Sequence, residues 1–123
     1  MPTKKGKTRK TRRIGSLRVT NPFRSFVLDQ LAEIGDITPR AMFGGVGLYH
    51  CGVFFGLIAR DTLFLKVGAA NRADYTRAKA KPFKPYPDRP ASGKYYAVPV
   101  DVLESAIELT AWARKAIAVA NAR

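Results

Sequence analysis

The stretch Arg40–Val67, RAMFGGVGLYHCGVFFGLIARDTLFLKV, is apolar, laced with glycine and broken twice by short polar punctuation. That pattern predicts three consecutive antiparallel strands. In the first, Met42, Val46 and Leu48 alternate with Phe43, Gly45, Gly47 and Tyr49, and His50-Cys51-Gly52 makes a tight connection. In the second, Val53, Phe55, Leu57 and Ala59 form one face, with Phe54, Gly56 and Ile58 on the other. Arg60-Asp61-Thr62 turns into the third strand, Leu63–Val67. Both faces of the second strand are apolar or small, which suits a central strand with at least one covered face.

Upstream, Asn21-Pro22 reads as an N-cap followed by proline at the first helical position. Phe23, Phe26, Val27, Leu31 and Ile34 recur at helical spacing, and Gly35 stands where a C-terminal cap belongs, so a helix is expected over 22–34. Downstream, Asn71 and Asp74 flank a short helical stretch over 70–80. Three prolines in Lys81–Pro87 confine any strand there to a sheet edge. Residues 93–98 read as an aromatic strand. One helical turn follows near Val100–Glu104, and Ser105-Ala106-Ile107-Glu108 matches a capping box. Leu109, Trp112, Ala113, Ala116 and Ile117 then line a helix face. The expected order is α-β-β-β-α-β-β-α, a two-layer α+β domain with an antiparallel sheet.

The ordered succession Arg40–Tyr49, Gly52–Ile58, Leu63–Val67, Tyr95–Pro99, Val102-Leu103 and Glu108–Ala116 resembles the N-terminal domain of the TfoX/Sxy family, associated with regulation of bacterial competence. The resemblance covers residues 22–121 and implies a stand-alone member with a secretion-chaperone-like α+β arrangement and a regulatory, non-enzymatic role. The hairpin turn His50-Cys51-Gly52 and the basic leader depart from the family pattern.

Length and composition suit one domain, over 21–121, with a tail over 1–20. A chain of 123 residues buries enough surface to need no disulfide or metal. The single cysteine, Cys51, excludes an intrachain disulfide and a multi-cysteine zinc site, which fits a reducing cytoplasm. No apolar run is long enough for a membrane span, and the N-terminus lacks the apolar region of a secretory signal.

The net charge is +13, and the first 20 residues hold Lys4, Lys5, Lys7, Arg9, Lys10, Arg12, Arg13 and Arg18 with no acid. So little apolar content predicts disorder in the free chain, and so dense a cation run attracts phosphate backbones by counterion release. With no aromatic to stack on bases, the tail predicts nonspecific association with DNA or RNA. The same run also reads as a solvated leader with no ligand. A second basic region holds Arg72, Arg77, Lys79, Lys81 and Lys84, with Arg89 and Lys94 beyond, interleaved with Tyr75, Phe83, Tyr86, Tyr95 and Tyr96. Cations among aromatics suit single-stranded nucleic acid, although packing of the rings into the sheet is the simpler expectation.

No catalytic, cofactor or metal site is expected. Gly44-Gly45-Val46-Gly47 lacks the spacing of a phosphate loop and of the dinucleotide fingerprint. His50 and Cys51 suit a solvent-facing turn better than a nucleophile pair. Asp29/Glu33 and Glu104/Glu108 have ordinary helix-surface explanations. Three functional classes follow. The first is a non-enzymatic regulatory or adaptor domain aided by its basic tail. The second is a dimeric protein-interaction module. The third, a small enzyme, requires Arg40, Lys66 and a carboxylate to converge.

Overall fold

The computed structural model describes residues 17–86 and 88–122. Three two-residue turns decide its architecture. Phe43-Gly44, Cys51-Gly52 and Arg60-Asp61 all have positive φ at both residues, between +49° and +86°. Such turns carry the twist of the strands they join and so close tight hairpins. They connect β1 (Ile37–Met42), β2 (Gly45–His50), β3 (Val53–Ala59) and β4 (Thr62–Lys66) into an antiparallel meander. A fifth strand, β5 (Tyr95–Ala97), pairs with β4, giving the order β1-β2-β3-β4-β5.

The α+β class with an antiparallel sheet is as expected, but the meander has four strands where three were predicted. Phe43-Gly44 is a turn inside what reads as one strand. Reversal there puts Met42 opposite Gly45, on the face away from Val46 and Leu48. The predicted faces of β3 also change. Register slips between Leu48 and Tyr49, so that Leu48 pairs with Gly56 and Tyr49 with Phe54, leaving Phe55 as an extra residue. This bulge breaks the alternation. Phe55 joins Ile58 in the main core, while Phe54, Leu57 and Ala59 lie with the opposite cluster.

Helix α1 (Asn21–Gln30) is capped one residue earlier than expected, by Thr20, whose hydroxyl accepts from the Phe23 amide at 3.3 Å. It ends before Leu31, and Leu31–Ile34 continue as turns to Gly35. Helix α2 (Arg72–Arg77) is shorter than predicted. The proline passage forms no named strand: Pro82 makes an isolated bridge to Tyr96 at the sheet edge, with Ala97 N–H donating to the Lys81 carbonyl and Phe83 N–H to that of Tyr95. After α3 (Val100–Leu103), Ser105 caps α4 (Ala106–Asn121) by accepting from the Glu108 amide at 3.2 Å. The return half of the capping box is not made, because the Ser105 amide donates to the Val102 carbonyl.

The helices share one side of the sheet. Val27 and Leu31, Tyr75, Val102, and Leu109, Ala113, Ala116 and Ile117 pack with Val46, Leu48, Phe55, Ile58, Leu63 and Leu65. Each fully buried valine, leucine, isoleucine or phenylalanine among them contributes roughly 1.5–3 kcal/mol by leaving water. On the opposite, outer face a smaller cluster forms from Leu17, Leu57, Ala59 and Phe64. Leu17 is 1% exposed and its backbone bonds to the Phe43 carbonyl and the Arg60 amide. The folded domain thus reaches back at least to Leu17, four residues before the predicted boundary. The rest of the predicted disordered tail lies outside the described residues.

Candidate functional site

The outer sheet face carries the arrangement with the most chemical content. The β2 ring of Tyr49 sits 5.2 Å from the β3 ring of Phe54, which in turn lies 5.6 Å from Tyr95 of β5. All three rings remain half-buried. Gly47 lets them lie low on the sheet: a Cβ there would stand 3.1 Å from Phe54 and 3.4 Å from Tyr49. Close backbone approach is clearest at Gly45, where a Cβ would come within 2.6 Å of the Ile58 carbonyl.

Cations border the rings. The Arg40 guanidinium is 5.5 Å from the centre of Tyr49, and the Lys66 ammonium is 5.6 Å from that of Tyr95. Asn71 fixes the end of β4 on which Lys66 sits. Its buried side chain donates to the Lys66 carbonyl at 3.0 Å and accepts from the Gly68 amide at 2.8 Å. Burial, aided by nearby Tyr49, pushes the Tyr95 hydroxyl above its usual range. The outward strand positions, among them Arg40, Tyr49, Phe54, Lys66 and Tyr95, include no carboxylate. The acid required by the small-enzyme alternative is therefore not among them.

The second basic region is partly committed to structure. Asp74 takes Arg77 at 2.8 Å and Lys115 at 2.9 Å. Arg72 donates to the Gly93 carbonyl and lies 5.8 Å from Tyr96, while Arg89 lies 4.9 Å from Tyr86. Lys79, Lys81 and Lys84 are exposed. Most of the interleaved aromatics pack, as the simpler expectation held. Tyr75 is buried against Trp112 (4.7 Å) and Tyr96 (6.0 Å), and Phe83 against Phe64 (5.0 Å). Of the leader cations only Arg18 is described, and it is exposed next to Leu17. Lys4, Lys5, Lys7, Arg9, Lys10, Arg12 and Arg13 lie outside the described residues.

The family model of the TfoX N-terminal domain matches residues 29–120. The chain belongs to that family. No curated protein matches it in sequence. The match supports a regulatory, competence-related domain at family level, and the TfoX N-terminal family is not a known enzyme family.

In this TfoX N-terminal domain the thiol of Cys51 is exposed and 3.8 Å from Nε2 of His50, within the turn. No group of three or more metal-ligating side chains occurs among the described residues. Among them, too, no helix is long and apolar enough to cross a membrane. A groove of about 240 Å³ between α1 and β1 is lined by Leu28, Leu31, Ala32, Gly35, Asp36, Ile37 and Pro39, with a single carboxylate. That lining offers no set of convergent catalytic groups.

The sequence pointed to the basic segments and missed the ring strip. Tyr49, Phe54 and Tyr95 come together only through the pairing of four strands, β2 to β5. The available signal was the alternation of Gly47 with Tyr49 opposite an aromatic β3, but the bulge at Phe55 concealed which β3 ring faces them.

Proposed function

We propose that this is a non-catalytic, cytoplasmic regulatory domain that associates with nucleic acid electrostatically, through the basic leader. The observation that carries the reading is the charge distribution: a net +13, with eight cations and no acid in the first 20 residues. Burial of Leu17 on the outer face supports it further, because the leader joins the domain on the face whose outward strand positions lack carboxylates. Phosphate neutralisation releases condensed counterions, so binding of this kind weakens steeply with salt.

The test compares the full chain with a variant in which the seven cations from Lys4 to Arg13 are replaced by glutamine. Leu17 stays in place in both. Fluorescence anisotropy with labelled duplex and single-stranded oligonucleotides at several salt concentrations reads the outcome. If about five phosphates are engaged, log K falls with log salt at a slope of roughly −4.5 on duplex and roughly −3.5 on single strands. Equal, salt-independent affinity of both proteins would remove the leader from the function.

A second reading, a dimeric protein-interaction module, draws on the exposed apolar side chains of the helical layer: Ile107 is 83% exposed and Val100 66%. Native mass spectrometry of the full chain and of Ile107→Glu tests it. A dimer lost on substitution supports this reading, and a monomer at all concentrations removes it.

A further inference from the structure

Phe54 and Tyr95 rest against the outer cluster of Leu17, Leu57, Ala59 and Phe64, yet their rings and that of Tyr49 are not sealed. The helical side of the sheet is sealed by α1 and α4, and part of the outer face is sealed by Leu17 and Phe83. Beside that cluster three aromatic rings stay partly open to water, with centres 5.2 and 5.6 Å apart. Arg40 and Lys66 stand at the two ends of the strip, over the outermost rings. No outward-facing strand residue would repel an anion.

We propose that this strip is a base-stacking platform for single-stranded nucleic acid. The proposal deepens the electrostatic reading above and rests on it: the leader supplies phosphate attraction, and the strip supplies the contact with bases. Aromatic side chains on a sheet surface accept splayed bases irrespective of sequence, because every base has a π-face. A duplex keeps its base faces stacked inside and shows a sheet only edges and phosphates. The strip therefore favours single strands. The cations now over Tyr49 and Tyr95 do not block it. An exposed cation–π contact is weak beside a base stack, so an incoming base displaces the long side chain, which then pairs with the flanking phosphate. Gly47 contributes by leaving the strand surface low enough for the Phe54 and Tyr49 rings to lie across it.

The experiment uses the full chain at physiological salt, with labelled oligouridylate, oligothymidylate, an abasic phosphodiester of the same length and a duplex. At least one base-bearing single strand is expected to bind about tenfold or more tighter than the abasic strand. The RNA and DNA arms tell which sugar is preferred. The double variant Tyr49→Leu/Tyr95→Leu, which keeps apolar bulk, is expected to lose that preference while binding the abasic strand unchanged. Photo-crosslinking of oligouridylate to the unmodified protein, read by mass spectrometry, places the contact even if the double variant does not fold. Cross-links at Tyr49, Phe54 or Tyr95 support the platform, and cross-links confined to other segments overturn it. Equal affinity for base-bearing and abasic strands overturns the platform but leaves the leader reading standing. No binding to any probe overturns both.

Discussion

The carboxylate of Asp61 grips Thr20 twice, accepting from its amide at 2.8 Å and from its hydroxyl at 3.0 Å. Asp61 occupies the β3–β4 turn at φ +52°, a conformation that aspartate tolerates better than most residues. Thr20 caps α1, so one turn residue fixes both the entry of the first helix and the segment that carries Leu17 onto the outer face.

Thr20→Ala is expected to cost about 1 kcal/mol as a lost helix cap, and Asp61→Ala about the same through its two lost hydrogen bonds. For a domain of this size that lowers Tm by roughly 4–8 °C. The two residues share the bond between the Thr20 hydroxyl and the Asp61 carboxylate, so the double variant should cost less than the sum of the two single ones. Full additivity in thermal melts would show that the pair does not act as a unit.

Leu17 lies four residues before the first helix yet is as buried as the central strands. Leu17→Ala should destabilise by about 2–3 kcal/mol, as for other core leucines. A chain beginning at Thr20 should unfold at lower urea than one beginning at Leu17. Equal midpoints would mean that Leu17 and its two neighbours contribute nothing to stability.

Two glycines should respond oppositely to a methyl group. Gly45→Ala forces a Cβ against the Ile58 carbonyl and should cost about 1–3 kcal/mol by overpacking. Gly93 has open space around it, and Gly93→Ala should be neutral or stabilise by up to about 1 kcal/mol through the unfolded chain. Chemical denaturation of the two variants checks the contrast.

Tyr75 gives an alkaline signature. Its hydroxyl is buried without a hydrogen-bond partner, and burial first, then the charge of Asp74, pushes it well above the ordinary tyrosine value. A raised folded-state pKa contributes stability that is whole below the unfolded value, about 10, and is lost as pH rises above it. Stability should therefore fall more steeply above about pH 10 in the natural chain than in Tyr75→Phe. At neutral pH the same substitution removes a stranded hydroxyl and should be neutral or stabilise by about 1 kcal/mol. Parallel alkaline losses in urea unfolding would take Tyr75 out of the account.

Local signals were the legible ones. Ser105 three residues before Glu108 announced the last helix, and the spacing of Leu109, Ala113 and Ala116 announced its buried side. The α+β class followed from the glycine-laced apolar block. The Phe43-Gly44 turn did not announce itself, because phenylalanine is an unusual occupant of a position with positive φ. The β3 faces were misassigned because a bulge is a property of pairing, invisible along a single strand. For the same reason Phe54 and Tyr95, 41 positions apart, could not be joined before the register was known.

The run of two-residue hairpins sets an order of events during synthesis. The pairings of β1 through β4 are all between near neighbours in the chain, so the meander can form early. Its helix-facing side, with Val46, Leu48, Phe55 and Ile58, is completed only by a helix that begins at Ala106. Until then α1 and α2 cover only part of that face, and the rest of the nascent sheet presents an apolar surface to its neighbours. A chain cut before Ser105 would hold every strand and is expected to aggregate on expression where the full chain does not.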